Sequence, residues 1–278
     1  MRDARLSRRG FVTAAGAGLL GAAGVVTLEA LAVERGHVGL TRHEVRVPGL
    51  DPAFDGWRLA HVTDLHLPAC DEAARLAAAL VRRERPELVA LTGDVLERGD
   101  LDVAFGQLDE LLPALRGTVA TWAIPGNHEH VAGVPWDAYR ARLARHGTRL
   151  LANQADVLAV RGSVLRVFGS EDRLAGDLDA EAAVRARPDL LLLHRPTQVD
   201  AMPPSSAGLA LAGHTHGGQL CLPGGVALVR PSGSGRYTQG WYDAPAAPLF
   251  VSRGVGTSGV RMRASCPAEV ALLTLRAA

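Results

Sequence analysis

Beyond residue 57 the chain alternates short apolar runs with amphipathic stretches of helical length, and this alternation limits the fold more than any other feature. Arg58–Val62, Leu88–Thr92 and Val119–Ile124 read as strands. Asp71–Glu84, Leu101–Leu115 and Trp136–His146 read as helices, the first with Asp71 as its N-cap and the second strained near Pro113. Later apolar runs at Val157–Val160, Val164–Phe168, Leu190–Leu193, Leu209–Ala212, Leu249–Ser252 and Val270–Leu275 are of strand length. Ahead of all these, His43–Val47 alternates loosely and reads as one more strand behind a linker. Strand–helix alternation followed mostly by strands points to a mixed α/β fold. At 278 residues and 47% hydrophobic, the chain has material for one large core. Disordered and low-complexity classes are excluded.

The polar residues fall where those runs stop. Five runs end in Thr63-Asp64-Leu65-His66, Thr92-Gly93-Asp94, Pro125-Gly126-Asn127-His128-Glu129, His194-Arg195-Pro196 and Gly213-His214-Thr215-His216-Gly217-Gly218. Ligands of open α/β sheets gather at the carboxyl ends of strands. Brought together, these ends pool two Asp, one Asn and five of the chain's ten His. Oxygen and imidazole donors suit Zn, Mn or Fe better than a thiolate site would. Seven ligands (Asp64, His66, Asp94, Asn127, His194, His214 and His216) exceed what one tetrahedral ion takes and suit two divalent ions sharing a bridge. Asp94 is the better bridge, because a carboxylate spans two ions readily and Gly93 permits the turn it needs. Two such ions outweigh the two carboxylates and attract a phosphate group. They also make hydroxide available near neutral pH, so no protein nucleophile is needed. His128 adjoins Asn127, so both cannot ligate the same ion. Beside the metals, it can protonate a leaving oxygen or hold the phosphoryl group.

The first 32 residues read as a targeting segment. Arg2, Arg5, Arg8 and Arg9 precede Gly10–Leu28, a run of 19 uncharged residues of which ten are Ala or Gly. Ser7-Arg8-Arg9-Gly10-Phe11-Val12 resembles the twin-arginine export signal, and Ala30-Leu31-Ala32 resembles a cleavage site. Residues 1–32 are thus a signal peptide or an N-terminal anchor, and 33–278 are the functional domain. Export by this route places the protein in the periplasm, in the cell wall or on the outer face of the cytoplasmic membrane. Without residues 1–32 the formal charge falls from +1 to −1, because four Arg leave with Asp3 and Glu29. No nucleic-acid partner is expected at that balance. Cys70, Cys221 and Cys266 are odd in number, lie far apart and read as buried, inert thiols.

D-x-H, G-D, G-N-H-E, a lone H and G-H-T-H-G-G, in this order, resemble the calcineurin-like metallophosphoesterase superfamily over roughly residues 40–278. Gly217-Gly218-Gln219, Arg236-Tyr237-x-x-Gly240 and Arg253–Ser258, followed by Arg263–Glu269, are similar to its YkuE-like branch. The resemblance implies a four-layer αββα sandwich of two mixed sheets flanked by helices. It also implies an exported, dinuclear, metal-dependent phosphoesterase that cuts a phosphodiester or pyrophosphate by metal-bound hydroxide. Alternatives within the resemblance are a phosphomonoesterase and a UDP-diacylglucosamine-type pyrophosphate hydrolase. The implied substrate is a phosphoester of an envelope lipid, a nucleotide-sugar or a wall polymer, with membrane contact through the N-terminus. By motif, one ion takes Asp64, His66, Asp94 and His216, and the other takes Asp94, Asn127, His194 and His214. His128 takes the position of the catalytic His. His130, Arg253 and Arg263 are expected at the substrate, and Arg195 is a lesser contender. Two departures, Arg261 for a usual Pro and Glu129-His130 for a frequent Asp-aromatic pair, also bear on substrate. His61, inside a strand, reads as structural, and Trp241 and Tyr242 read as core.

Overall fold

The computed structural model describes residues 37–172 and 178–278. The expected signal or anchor at 1–32 lies outside the described residues.

Fourteen strands and five α-helices are described. In chain order they are β1 (Val38–Val47), β2 (Arg58–Val62), α1 (Asp71–Glu84), β3 (Leu88–Thr92), α2 (Leu101–Leu111), β4 (Ala120–Ile124), α3 (Asn127–Ala132), α4 (Trp136–Arg145), β5 (Thr148–Leu150), β6 (Gln154–Val160), β7 (Ser163–Gly169), α5 (Ala180–Ala186), β8 (Leu190–Leu192), β9 (Leu209–Ala212), β10 (Cys221–Leu222), β11 (Val226–Ala227), β12 (Gly240–Asp243), β13 (Pro248–Val251) and β14 (Ala268–Ala277). One six-stranded sheet runs β1-β14-β2-β3-β4-β5, and another runs β12-β13-β9-β8-β7-β6. The strands that matter for the site are parallel: β2, β3 and β4 in the first sheet, β8 and β9 in the second.

These central strands are buried on both faces, which is why their sequences are continuous apolar runs rather than alternating ones. Side chains still alternate in direction. Leu59, Leu88, Ala90, Trp122 and Ile124 face inward and meet Leu165, Leu190, Leu192, Leu209, Leu211 and Phe250 of the second sheet. Ala60, Val62, Val89 and Leu91 face the opposite way, onto Ala74, Ala77 and Val81 of α1, Leu108 of α2 and Leu143 of α4. Leu191, Leu193, Ala210, Ala212 and Val251 pack outward on Ala183 of α5, Val199 and Met202. The result is the four-layer αββα sandwich that the resemblance implies.

Local boundaries differ from the sequence reading in physical ways. The first helix starts at Asp71 itself, after Cys70, so Asp71 is not a cap. Its carboxylate lies 2.9 Å from Arg75 Nε and suits the positive end of the helix dipole. The second helix is capped by Asp100, whose side chain accepts the N–H groups of Asp102 and Val103. It stops at Leu111 rather than Leu115: Leu112 keeps helical angles, but Pro113 has no N–H to donate to the Asp109 carbonyl. Trp241 is 39% exposed on the edge strand β12 and leans on Phe250 and His43 rather than lying in the core. Cys221 and Cys266 are buried free thiols, and Cys70 is half-buried.

His61 is fully buried in β2, with Nε2 2.7 Å from Thr92 Oγ1. Burial pulls its pKa down to about 4, with Glu269 opposing. The unfolded chain therefore binds the proton more readily, and stability falls as pH drops through the window between the two values. At 1.36 kcal/mol per unit, wild type should lose about 2–3 kcal/mol more than His61→Asn between about pH 7 and about pH 4.5. Urea unfolding of both proteins at the two pH values checks this; equal losses would contradict it.

Candidate metal centre

All five polar stretches emerge at the same end of the sandwich, and hydrogen bonds tie one sheet to the other there. His214 N–H donates to both Asp64 carboxylate oxygens at 3.2 and 3.1 Å. His194 Nδ1 lies 2.8 Å from the Thr92 carbonyl oxygen. The turns are sharp enough that Asp64, His66, Asp94, His214 and His216 all adopt left-handed backbone conformations, φ 50–69°. Asp and His tolerate this region better than most residues, and such strain gathers at functional sites. Two glycines make the approach possible. A Cβ on Gly126 would stand 2.3 Å from Asp94 Oδ1, and one on Gly254, at φ +69°, would stand 2.8 Å from Asp64 Oδ2.

The side chains fall into two sets whose donor atoms lie within 4.8 Å of one another: Asp64, His66 and His216, and Asp94, His194 and His214. In the first, His66 Nε2 is 3.0 Å from His216 Nε2, and Asp64 Oδ1 is 3.6 Å from the latter. In the second, His194 Nε2 is 3.1 Å from Asp94 Oδ2, 3.2 Å from Asn127 Oδ1 and 3.3 Å from His214 Nδ1. Asp94 Oδ2 also stands 3.9 Å from His66 Nε2, so one oxygen faces both sets. Its partner Oδ1 accepts the His128 backbone N–H at 2.8 Å.

The donor chemistry fits paired cations. His194 Nδ1 donates to the Thr92 carbonyl, and His214 Nε2 donates to the Ser232 carbonyl at 2.7 Å. Neutral rings so fixed turn two bare lone pairs, His194 Nε2 and His214 Nδ1, toward each other beside a carboxylate. Only a positive charge stabilises that arrangement. The same demand shows in the titration: burial opposes protonation of His194, yet Asp94 raises its pKa to about 10. Asp94 is held well below the usual carboxylate range by His194 and His66 despite its burial. Behind His66, Glu97 Oε2 lies 3.2 Å from Nδ1 and orients the ring, as carboxylates behind metal-binding imidazoles do.

His128 stands at the edge of both sets, with Nε2 4.0 Å from Asp94 Oδ2 and 3.3 Å from Ser258 Oγ. Burial pulls its pKa down, and Asp94 opposes. It lines a cavity of about 500 Å³ together with Asp94, Asn127, His214 and His216. Arg195 lines it too, paired with the buried Asp172.

The three residues expected at the substrate lie off that cavity wall. His130 Nε2 sits 2.8 Å from Glu171 Oε1, and its ring packs on Trp136. The Arg253 guanidinium is 2.7 Å from Glu269. Arg263 is buried and donates to the carbonyls of Gly256, Arg253, His216 and Cys266, tying the His216 loop to its neighbours. Glu129, the other departure, is also buried rather than facing substrate. It accepts the N–H groups of Asp94, Leu96 and Gly126 at 3.1, 2.9 and 2.9 Å, clamping the Asp94 loop to the start of α3. Burial and then Asp94 raise its pKa to about 7. The bond to Gly126 is the Glu half of a capping box and is local in sequence; the bonds to Asp94 and Leu96 are not.

Glu129→Ala leaves three buried donors without their acceptor, at about 1–3 kcal/mol each. Stability should fall by at least about 3 kcal/mol and metal affinity by about 10–100-fold. Glu129→Gln, with one acceptor oxygen, should recover part of both. Urea unfolding and metal titration check this, and unchanged values in the Ala variant would contradict it.

The grouped donors could hold two metal ions, and comparison with known proteins gives the family. The calcineurin-like phosphoesterase family matches residues 58–218, and the chain belongs to that family. It is 31% identical to phosphodiesterase YaeI of Escherichia coli over 72% of this chain and 74% of the relative. It is 26% identical to an uncharacterised metallophosphoesterase, YkuE, of Bacillus subtilis over 85% of each. Among solved structures, a dimetal phosphatase from Danio rerio aligns over 75% of this chain and 91% of its own, at 11% identity and a TM-score of 0.40. The protein is a metal-dependent phosphoester hydrolase.

Proposed function

We propose that the chain hydrolyses a phosphodiester or pyrophosphate bond at a dinuclear centre held by Asp64, His66, Asp94, Asn127, His194, His214 and His216. The single observation that carries this reading is Asp94 Oδ2 lying 3.1 Å from His194 Nε2 and 3.9 Å from His66 Nε2, one carboxylate oxygen shared between two histidine sets. Two divalent ions, Mn, Zn or Fe, supply the positive charge that draws a phosphate and acidify the water at the site. The chain's own groups do the rest. Asp94 and Asp64 hold the charge in place, and Glu129 and Glu97 fix the loops and rings. His128, off the ligand sets and facing the cavity, delivers a proton to the leaving oxygen. A diester carries one charge where a monoester carries two. The cavity's Arg195 is already matched by Asp172, which favours the less charged substrate. The phosphodiesterase name of the 31% relative supports the same choice.

The Ser7–Val12 pattern and the Gly10–Leu28 run support export by the twin-arginine route to the cell envelope. The substrate there is a phosphoester of a lipid, nucleotide-sugar or wall polymer. The purified chain loaded with Mn or Zn should cleave an aryl phosphodiester faster than the matching monoester. EDTA should remove the activity, and added metal should restore it. A metal-loaded protein inert to both esters, or one preferring the monoester, would contradict the reading.

A further inference from the structure

The mouth of the cavity carries an apolar rim that the chemistry of the site does not use. Of the eleven large hydrophobic residues exposed among the described residues, Leu222, Val226, Leu228 and Val229 fall within one short stretch. A fifth, Val260, lies on the neighbouring loop, and all five are 50–66% exposed. The β10–β11 hairpin sets Leu222 opposite Val226. Leu228 N–H donates to the Leu220 carbonyl, and Leu220 pairs with Ala264, so hairpin and loop form one ledge. Leu220, Val229 and Val260 continue from the ledge into the cavity wall. Apolar side chains clustered this way at the lip of a polar site mark a contact surface.

Charge and topology identify what the surface contacts. The 220–230 and 258–264 segments hold no Asp or Glu, in a chain with 29 acids. Arg230, Arg236 and Arg261 are exposed. Exposed apolar residues flanked by Arg230 and Arg261, with no acid in either segment, match an anionic lipid surface. The sheet register adds an independent observation. Val38 pairs with Ala268, while Ala271 pairs with His61, so β1 begins at the end of the sheet where Asp64 stands. The described residues thus begin, at His37, at the cavity end, and the sequence ahead of them includes the uncharged run Gly10–Leu28.

We propose that the 220–230 hairpin and the 258–264 loop dock on an anionic lipid surface, with the cavity mouth turned toward it. The use of this docking, presenting a surface-held phosphoester to the metal centre, rests on the function proposed above. Hydrogen exchange of the full chain, with and without vesicles of phosphatidylglycerol and phosphatidylcholine, tests it. Amides of both segments should slow by about tenfold or more when vesicles are added. Val226→Asp combined with Leu228→Asp should abolish that slowing and keep turnover of a soluble aryl phosphodiester within about twofold of wild type. Unchanged exchange in a protein with normal soluble turnover overturns the docking and leaves the phosphoesterase reading intact. Slowed exchange in a metal-loaded protein without turnover supports the docking and overturns the phosphoesterase reading. Slowing that comes with rising protein concentration and needs no vesicles shows a second copy on the ledge and overturns the proposal.

Discussion

Asp94→Ala should lower hydrolysis of an aryl phosphodiester by about 10³-fold or more, at least about 4 kcal/mol of transition-state stabilisation. The size follows from position. Asp94 is buried, and its Oδ2 faces His194 and His66 at once, so losing it removes the charge shared by both ligand sets. The variant also loses the Oδ1 that accepts the His128 N–H, which would loosen α3 and blur the interpretation. Asp94→Asn separates the two effects, because an amide oxygen can keep the bond to His128 while the charge is gone. Both variants should bind fewer than two ions per chain, and both should be nearly inactive. If Asn restores activity, the carboxylate's charge is not what the site requires.

His128→Ala should behave differently. Its Nε2 lies 4.0 Å from Asp94 and beside Ser258, at the cavity wall and outside both ligand sets. Removal of a positioned proton donor costs about 10²–10⁴-fold in kcat. Metal content should stay at the wild-type value. The loss should also depend on the leaving group. A nitrophenolate departs without a proton, so its release should suffer far less than that of an alkoxide. Because His66, Glu97 and His128 also bring donor atoms within 4.8 Å, the competing role is that of a metal ligand. A His128→Ala protein that loses an ion, or loses rate equally with both leaving groups, would establish that role instead.

The fold and the convergence of the candidate ligands were legible because parallel strands buried on both faces leave continuous apolar runs, and the polar residues stop those runs. Leu88–Thr92 followed by Gly93-Asp94, and Leu209–Ala212 followed by Gly213-His214, show a strand end and a donor in one glance. Short elements without a period escaped. The helix α3 has six residues, and β10 and β11 have two each. The supporting shell escaped for another reason. Glu129 serves backbone donors about 35 positions away, and Glu97 serves a ring about 30 positions away, so only the tertiary structure joins them. The partners of Arg253 and Arg263 were not legible either. A guanidinium near a phosphate motif suggests substrate, but theirs are engaged by Glu269 and by backbone carbonyls. Trp241 was read as core because its size favours burial, whereas an edge strand leaves one of its faces to solvent.

The claim beneath all of this is that one carboxylate joins two cation sites. Anomalous diffraction from a crystal of the Mn-loaded chain tests it most directly. Two peaks should lie about 3.5–4 Å apart, one among Asp64, His66 and His216 and the other among Asn127, His194 and His214, with Asp94 between them. A single peak, or two peaks that do not share Asp94, would contradict the account.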